Sequence, residues 1–539
     1  MSLKRIIPLL ITCLPLAYAP AQDNPGAYSR VHPQSDEERL AETINAQDLN
    51  RHLSILASDE MEGRETGEPG QKKAAAYIAE IFKGLGLPAI GDDNGYFQHY
   101  SYISEYWTEI RMEVNGQPVK HLSDFYSFPA RNADRDWIEY DEVVFLGYGI
   151  DDSRYNDYKH APDVKGKAIL IYTGEPLSKD SISTVTGKRG LSEWSTDISR
   201  KLKAARAHGA STVFIIDNDF KQRVRAARRT IIGTGMNMGW GENPEENYAN
   251  SCFITSDMAK DMVGNQFKRL AKASTRLLEK GKLKPVALPA KIRILQKKKV
   301  RQLLGENVLG YVEGTDPRLK DEVVVLSAHY DHIGKQGDEI YNGADDNGTG
   351  SSAALEICQA LVEAKRNGMG PRRSVLVLLV SGEEKGLLGS QYYVAHPVFP
   401  LSNTVADVNV DMIGRVDNKH ADNPNYIYVI GADRLSSELH EINEKANSTY
   451  THLELDYTYN AEDDPNRYYY RSDHYNFAVN GIPAIFYFSG THADYHRPTD
   501  TIEKINFEKM TKISKLIFHT VWTLSTRDRR IVVDKLKAP

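Results

Sequence analysis

Three cysteines in 539 residues exclude a disulfide framework as the source of stability. After residue 18 no apolar run is long enough to cross a bilayer, so no membrane span is expected. Positive charge is not in excess either. The chain carries 67 Lys and Arg against 73 Asp and Glu, a formal net charge of -6, which leaves no electrostatic footprint for nucleic acid. No internal repeat is visible. With 41% hydrophobic and 26% charged residues, neither disorder nor coiled coil describes the chain as a whole. Its length exceeds what one core supports, so two or more domains, or one domain with a large insertion, are expected.

Residues 1–5 carry Lys4 and Arg5, residues 6–18 are apolar, and Ala17, Ala19 and Ala21 follow as small residues. This order reads as a secretory signal cut after Ala21. Pro8 and Pro15 weigh against a buried helix here, and the bulk of Thr12 before Cys13 weighs against a lipid-modified cysteine. Loss of residues 1–21 deepens the net charge from -6 to -8 and leaves only Cys252 and Cys358. An exported chain with so few cysteines fits a bacterial periplasm or the external medium.

The expected organisation continues with an extended leader over 22–44, rich in polar residues and containing Pro25, Gly26 and Pro33. Helices are expected from about residue 48, where Leu49, Leu53 and Leu56 recur at helical spacing, and over 72–85, before Gly86. From about 137 the texture changes to short strands at 142–146, 167–172 and 212–216, with a helix at 198–208. That stretch reads as a unit with its own sheet. The lysine-rich 268–299 reads as a solvated face and a linker. From 307 onward strand and helix alternate, with β-branched runs at 323–326, 375–380, 405–410 and 484–488 and helices at 351–364 and 386–393. The fold class is therefore α/β, a mostly parallel sheet covered by helices.

In open α/β sheets, ligands gather at the carboxyl ends of strands. Each of the four runs is followed by candidate metal ligands: His329, Asp331 and His332; Glu383 and Glu384; Asp411; and His492, Asp494 and His496. Asp345 and Asp346 precede the helix at 351–364. In His329-x-Asp331 alternate residues of an extended segment face one side, so His329 can bind a metal while Asp331 holds the other imidazole nitrogen. The adjacent Glu383 and Glu384 must diverge, one serving as ligand and the other as base. Two histidines and three carboxylates form a nitrogen and oxygen set that zinc accepts. Three carboxylates and a bridging hydroxide would balance two Zn²⁺ ions, and Asp346 could be shared between them at the ~3.5–4 Å separation of two-metal hydrolases.

At these residues the chain resembles peptidase family M28, the zinc aminopeptidases and carboxypeptidases typified by bacterial leucyl aminopeptidases. The matching segments are 327–331, 343–350, 381–390, 409–414 and 494–500, with Met61 to Gly67 resembling the family's first segment. The resemblance covers most of 45–525. It implies a zinc exopeptidase fold in two parts (45–136 and 291–525, then a tail over 526–539), interrupted at 137–290 by a β-rich protease-associated domain and linker. It also implies that Asp346 bridges two Zn²⁺ ions, that His329 and Asp411 complete one site, and that Glu384 and His496 complete the other. Glu383 is then the base and Asp331 the residue behind His329. The function implied is removal of terminal residues from peptide substrates, as an aminopeptidase. The alternatives are a carboxypeptidase using Arg415, Arg471 or Arg497 to hold a terminal carboxylate, a single-zinc glutaminyl cyclase, and a non-catalytic receptor-like binding protein. His332, His474 and His492 could contact substrate or metal but are read first as structural histidines, and Ser472-Asp473-His474 as too close in sequence for a triad. Tyr468, Tyr469 and Tyr470 either line a pocket or pack beneath a loop. The sequence assigns no oligomeric state.

Overall fold

A computed structural model describes residues 34–178, 180–233, 236–239, 244–280 and 283–535. The expected signal and the first part of the expected leader lie outside the described residues. The last part of that leader is not extended. Helix α1 (Asp36–Ala41) is closed by a capping box in which the Ser35 hydroxyl accepts from the Glu38 N–H and the Glu38 carboxylate from the Ser35 N–H. Its Leu40 and Ala41 are buried in the main core. Polar composition hid a Ser-x-x-Glu signal that starts a helix.

Helix α2 (Ala46–Leu56), capped by Asn45, buries Leu49, Leu53 and Leu56, and α3 (Pro69–Gly84) begins on Pro69, whose missing N–H costs a first turn nothing. An 18-residue strand, β1 (Phe97–Val114), then leads into a second unit. There β2 (Arg135–Phe145), β3 (Ala168–Tyr172), β4 (Thr212–Ile216) and β5 (Asn250–Ile254) pair side by side in parallel. Helices α4 (Ile198–Ala207) and α5 (Phe267–Lys280) belong to the same unit. Its core, built from residues such as Val143, Leu170, Phe214 and Met262, is separate from the main one.

The expected linker at 268–299 is a second correction. It holds most of α5 and the start of β6 (Val286–Val312), a 27-residue strand. Buried Leu288, Ala290, Ile292 and Ile294 alternate with exposed neighbours including Lys291 and Arg293, the period-two pattern of a half-buried strand. Its basic residues masked the alternation. One end of β6 pairs with β2, the middle with β1, and Val308–Val312 with the main sheet. A single 15-stranded sheet thereby runs through both units.

In the main unit β7 (Val323–His329), β8 (Ser374–Val380) and β9 (Thr404–Val410) are buried along their whole length. With α6 (Gly350–Arg366), α7 (Leu388–Ala395), β10 (Tyr426–Ile430), β11 (Ala484–Phe488) and α8 (Phe507–Thr526) they complete the layers. The order across the sheet is β10-β11-β9-β7-β8-β6. β7 runs parallel to β8 and β9, and β9 parallel to β11, while β6 and β10 join antiparallel. Ile357 and Leu361 of α6 and Ile513 and Leu516 of α8 sit in the same core as alternate residues of these strands, each burial contributing about 1.5–3 kcal/mol. Cys252 and Cys358 are free and buried in different cores. Among the described residues no helix is long and apolar enough to cross a membrane. Because four central strands run parallel, their carboxyl ends share one edge.

Candidate metal centre

That edge is assembled by buried polar clamps. The fully buried Arg64 guanidinium donates to four carbonyls: Tyr330 O at 2.6 Å, Leu56 O at 2.5 Å, Asn342 O at 2.6 Å and Gly343 O at 2.9 Å. It thus pins the segment after His329 to the one before Asp346. Burial lowers its pKa to about 10, against the opposing pull of Asp331 and Asp346. The Asp500 carboxylate accepts the backbone N–H groups of Asp345 (3.0 Å) and Asp346 (3.2 Å). Asn347 ties the same loop to the end of β9, donating to Val410 O and accepting from Met412 N. Asp331 receives the Thr66 hydroxyl at 2.8 Å and the Glu383 N–H at 3.2 Å, with one oxygen 3.6 Å from His329 Nδ1. Gly382 adopts φ +76°, and a Cβ there would meet Tyr100 Oη at 2.8 Å and Leu388 Cβ at 2.9 Å. Only glycine allows the turn that presents Glu383 and Glu384.

The five ligands expected from sequence converge. His329 Nε2 lies 3.3 Å from Asp411 Oδ1 and 3.5 Å from Asp346 Oδ1. His496 Nε2 lies 3.1 Å from Asp346 Oδ2 and 3.2 Å from Glu384 Oε1. Asp346 therefore turns one oxygen toward each histidine. Donors bound to a common tetrahedral zinc at ~2.0–2.2 Å would stand ~3.3–3.6 Å apart, so the set fits that ion. Asp346 Oδ2 and Glu384 Oε1 are also buried atoms without a well-directed hydrogen bond, which a cation would satisfy. Ser472 Oγ donates to Asp411 Oδ2 at 2.9 Å and receives Asn409 Nδ2 at 2.8 Å, leaving Oδ1 of Asp411 for the site.

The two adjacent glutamates are pushed apart. Burial, reinforced by Glu384, Asp411 and Asp473 against the pull of His329, holds the Glu383 carboxyl well above the usual range. Glu384 is equally buried, but the His332 and His496 imidazoles facing it hold it well below. Such divergence between neighbours separates a proton carrier from a permanent anion. Glu383 Oε2 stands 4.0 Å from His329 Nε2, and His329, Glu383 and Asp411 form one group of atoms able to hold an ion.

His332 stands beside the candidate ligands. Fully buried, it brings Nδ1 within 2.9 Å of Glu384 Oε1 and groups with Asp346 and Glu384 as a further candidate ligand. Its position three residues beyond His329, in the same segment, was the available signal. His492 pairs instead with Asp345 at 3.3 Å, and His474 stacks on Phe486, burial lowering its pKa to about 3. Ser472, Asp473 and His474 form no triad, since Asp473 accepts from Ser390 and Ser472 serves Asp411. Of the three tyrosines, Tyr468 lines the cleft with Asp346, Glu383, Asp411 and His496. Arg415 is bound by Asp494 at 2.8 Å and Asp500 at 3.7 Å. Arg471 lines the cleft. The roles of Arg64, Asp500 and Ser472 were not read from sequence, because each acts on a partner distant in the chain.

Residues 307–521 match the profile of Peptidase family M28. A probable leucine aminopeptidase of Arthroderma otae is 31% identical over 216 residues, 39% of this chain and 56% of the relative. Aminopeptidase YwaD of Bacillus subtilis is 25% identical over 232 residues, 42% of this chain and 46% of the relative. The chain thus spans about half the length of these relatives. Among solved structures, the aminopeptidase from Aneurinibacillus sp. strain AM-1 superposes with a TM-score of 0.55 at 18% identity, covering 93% of this chain and 99% of that one, a likeness of fold.

Proposed function

We propose, from the match of residues 307–521 to the profile of Peptidase family M28, that the protein is an exported exopeptidase that holds two zinc ions and removes residues from the amino terminus of peptides. The observation that carries this reading is the split of Asp346, one oxygen facing His329 and the other His496. His329, Asp411 and Asp346 Oδ1 would hold one ion; Asp346 Oδ2, Glu384 and His496 would hold the other. Bound there, zinc supplies a polarised carbonyl and a water made acidic enough to act near neutral pH. The chain supplies the rest. Asp331 orients His329 from behind, and Glu383 accepts the proton and returns it to the leaving amine. The carboxylates at the floor of the cleft favour a free α-amino group, and the names of the Arthroderma and Bacillus relatives support the amino-terminal direction. Export is supported by the N-terminal sequence. We read 137–290 as a protease-associated domain that restricts the cleft to short peptides; deleting it should widen length selectivity, and unchanged selectivity in a folded variant would count against this.

The test is hydrolysis of leucyl peptides that are free, N-acetylated or C-amidated. Acetylation is expected to abolish cleavage and amidation to permit it. The reverse pattern would make the protein a carboxypeptidase.

A further inference from the structure

Arg471 has no role in the mechanism above, yet it lines the same cleft as Asp346, Glu383 and His496. Its guanidinium carbon sits 4.7 Å from the centroid of the Tyr468 ring, and Nη2 donates to Tyr495 Oη at 3.4 Å. Tyr468 is buried, so the platform beneath the arginine is fixed. An arginine laid on an aromatic face is held in place without losing its charge. Two other cations close in sequence to the candidate ligands are neutralised: Arg415 by Asp494 and Asp500, Lys385 by Glu65 at 2.8 Å. Among the described residues no carboxylate lies within ion-pair distance of Arg471. Met412, Phe486 and Phe488 line the same cleft beside its carboxylates. A planar cation with free donors, preset at the mouth of such a cleft, is built for bidentate capture of a carboxylate.

We propose that Arg471 holds a carboxylate of the substrate, so that the preferred peptides carry one close to the scissile bond. This rests on the aminopeptidase reading. Two sources share that chemistry: the free carboxyl terminus of a dipeptide, and the acidic side chain of the residue being removed. The experiment measures two ratios of kcat/KM, Leu-Gly over Leu-Gly amide and Glu over Gln p-nitroanilide, in the wild type, Arg471→Met and Arg471→Lys. Each ratio is taken within one preparation, so partial misfolding does not move it. At least one ratio should exceed unity in the wild type, fall about 10-fold or more in Arg471→Met, as loss of a charged hydrogen bond predicts, and recover in part in Arg471→Lys. Which ratio falls identifies the source. Ratios that stay within about two-fold of the wild type in Arg471→Met overturn the proposal while leaving the aminopeptidase intact. A wild type that cleaves none of the four substrates overturns both.

Discussion

Glu383→Gln separates base from ligand at this centre. The substitution keeps the shape of the side chain and the backbone N–H that binds Asp331 Oδ1 at 3.2 Å, so the clamp on His329 survives. Its amide cannot accept a proton. General-base assistance is worth about 10²–10⁴ in rate, or about 2.7–5.5 kcal/mol of barrier, and kcat should fall by that factor. Zinc content should hold, because Glu383 stands 4.0 Å from His329 Nε2 while Asp411 and Asp346 approach it to 3.3 and 3.5 Å. The assay is kcat on a leucyl p-nitroanilide alongside zinc analysis of the same preparation. A rate within about ten-fold of wild type removes Glu383 from the base role, and loss of zinc makes it a ligand.

Other substitutions test the scaffold. Arg64→Met strands four carbonyls that the guanidinium now satisfies and should destabilise by about 3–5 kcal/mol in urea unfolding; a change under about 1 kcal/mol would show that the clamp is dispensable. Ser472→Ala frees Asp411 Oδ2 and should weaken zinc affinity about 10- to 100-fold, measured by competition with a chelating dye, whereas unchanged affinity would deny Ser472 a positioning role. Lys509 donates to Tyr426 O at 3.0 Å over that residue's ring, and burial lowers its pKa to about 7. Above that pH the unfolded chain holds a proton that the folded chain has released, so this lysine makes stability rise with pH between about 7 and about 10. The thermal midpoint should therefore depend less on pH in Lys509→Met than in the wild type; parallel curves would contradict this.

The site was more legible in the sequence than the fold around it. His329, Glu384, Asp411 and His496 each come after a short strand-like run, so the expected strands placed them toward one edge. What escaped was whatever depends on a distant partner. Arg64 binds carbonyls 266 to 279 residues away as well as Leu56, and nothing local in Met61 to Gly67 reveals that. The β6 strand was misread because Lys and Arg occupied the outward half of an alternation whose inward half was apolar. The place of His332 was not legible because sequence alone does not tell a satisfied buried histidine from one facing Glu384.

The most direct test of the account is the zinc content of the purified chain after dialysis, set beside that of Asp346→Asn. Two zinc ions per chain, with both weakened by the substitution, is the result expected if Asp346 is shared. One ion per chain, or an Asp346→Asn protein that keeps two, would contradict the dinuclear centre on which the proposed function rests.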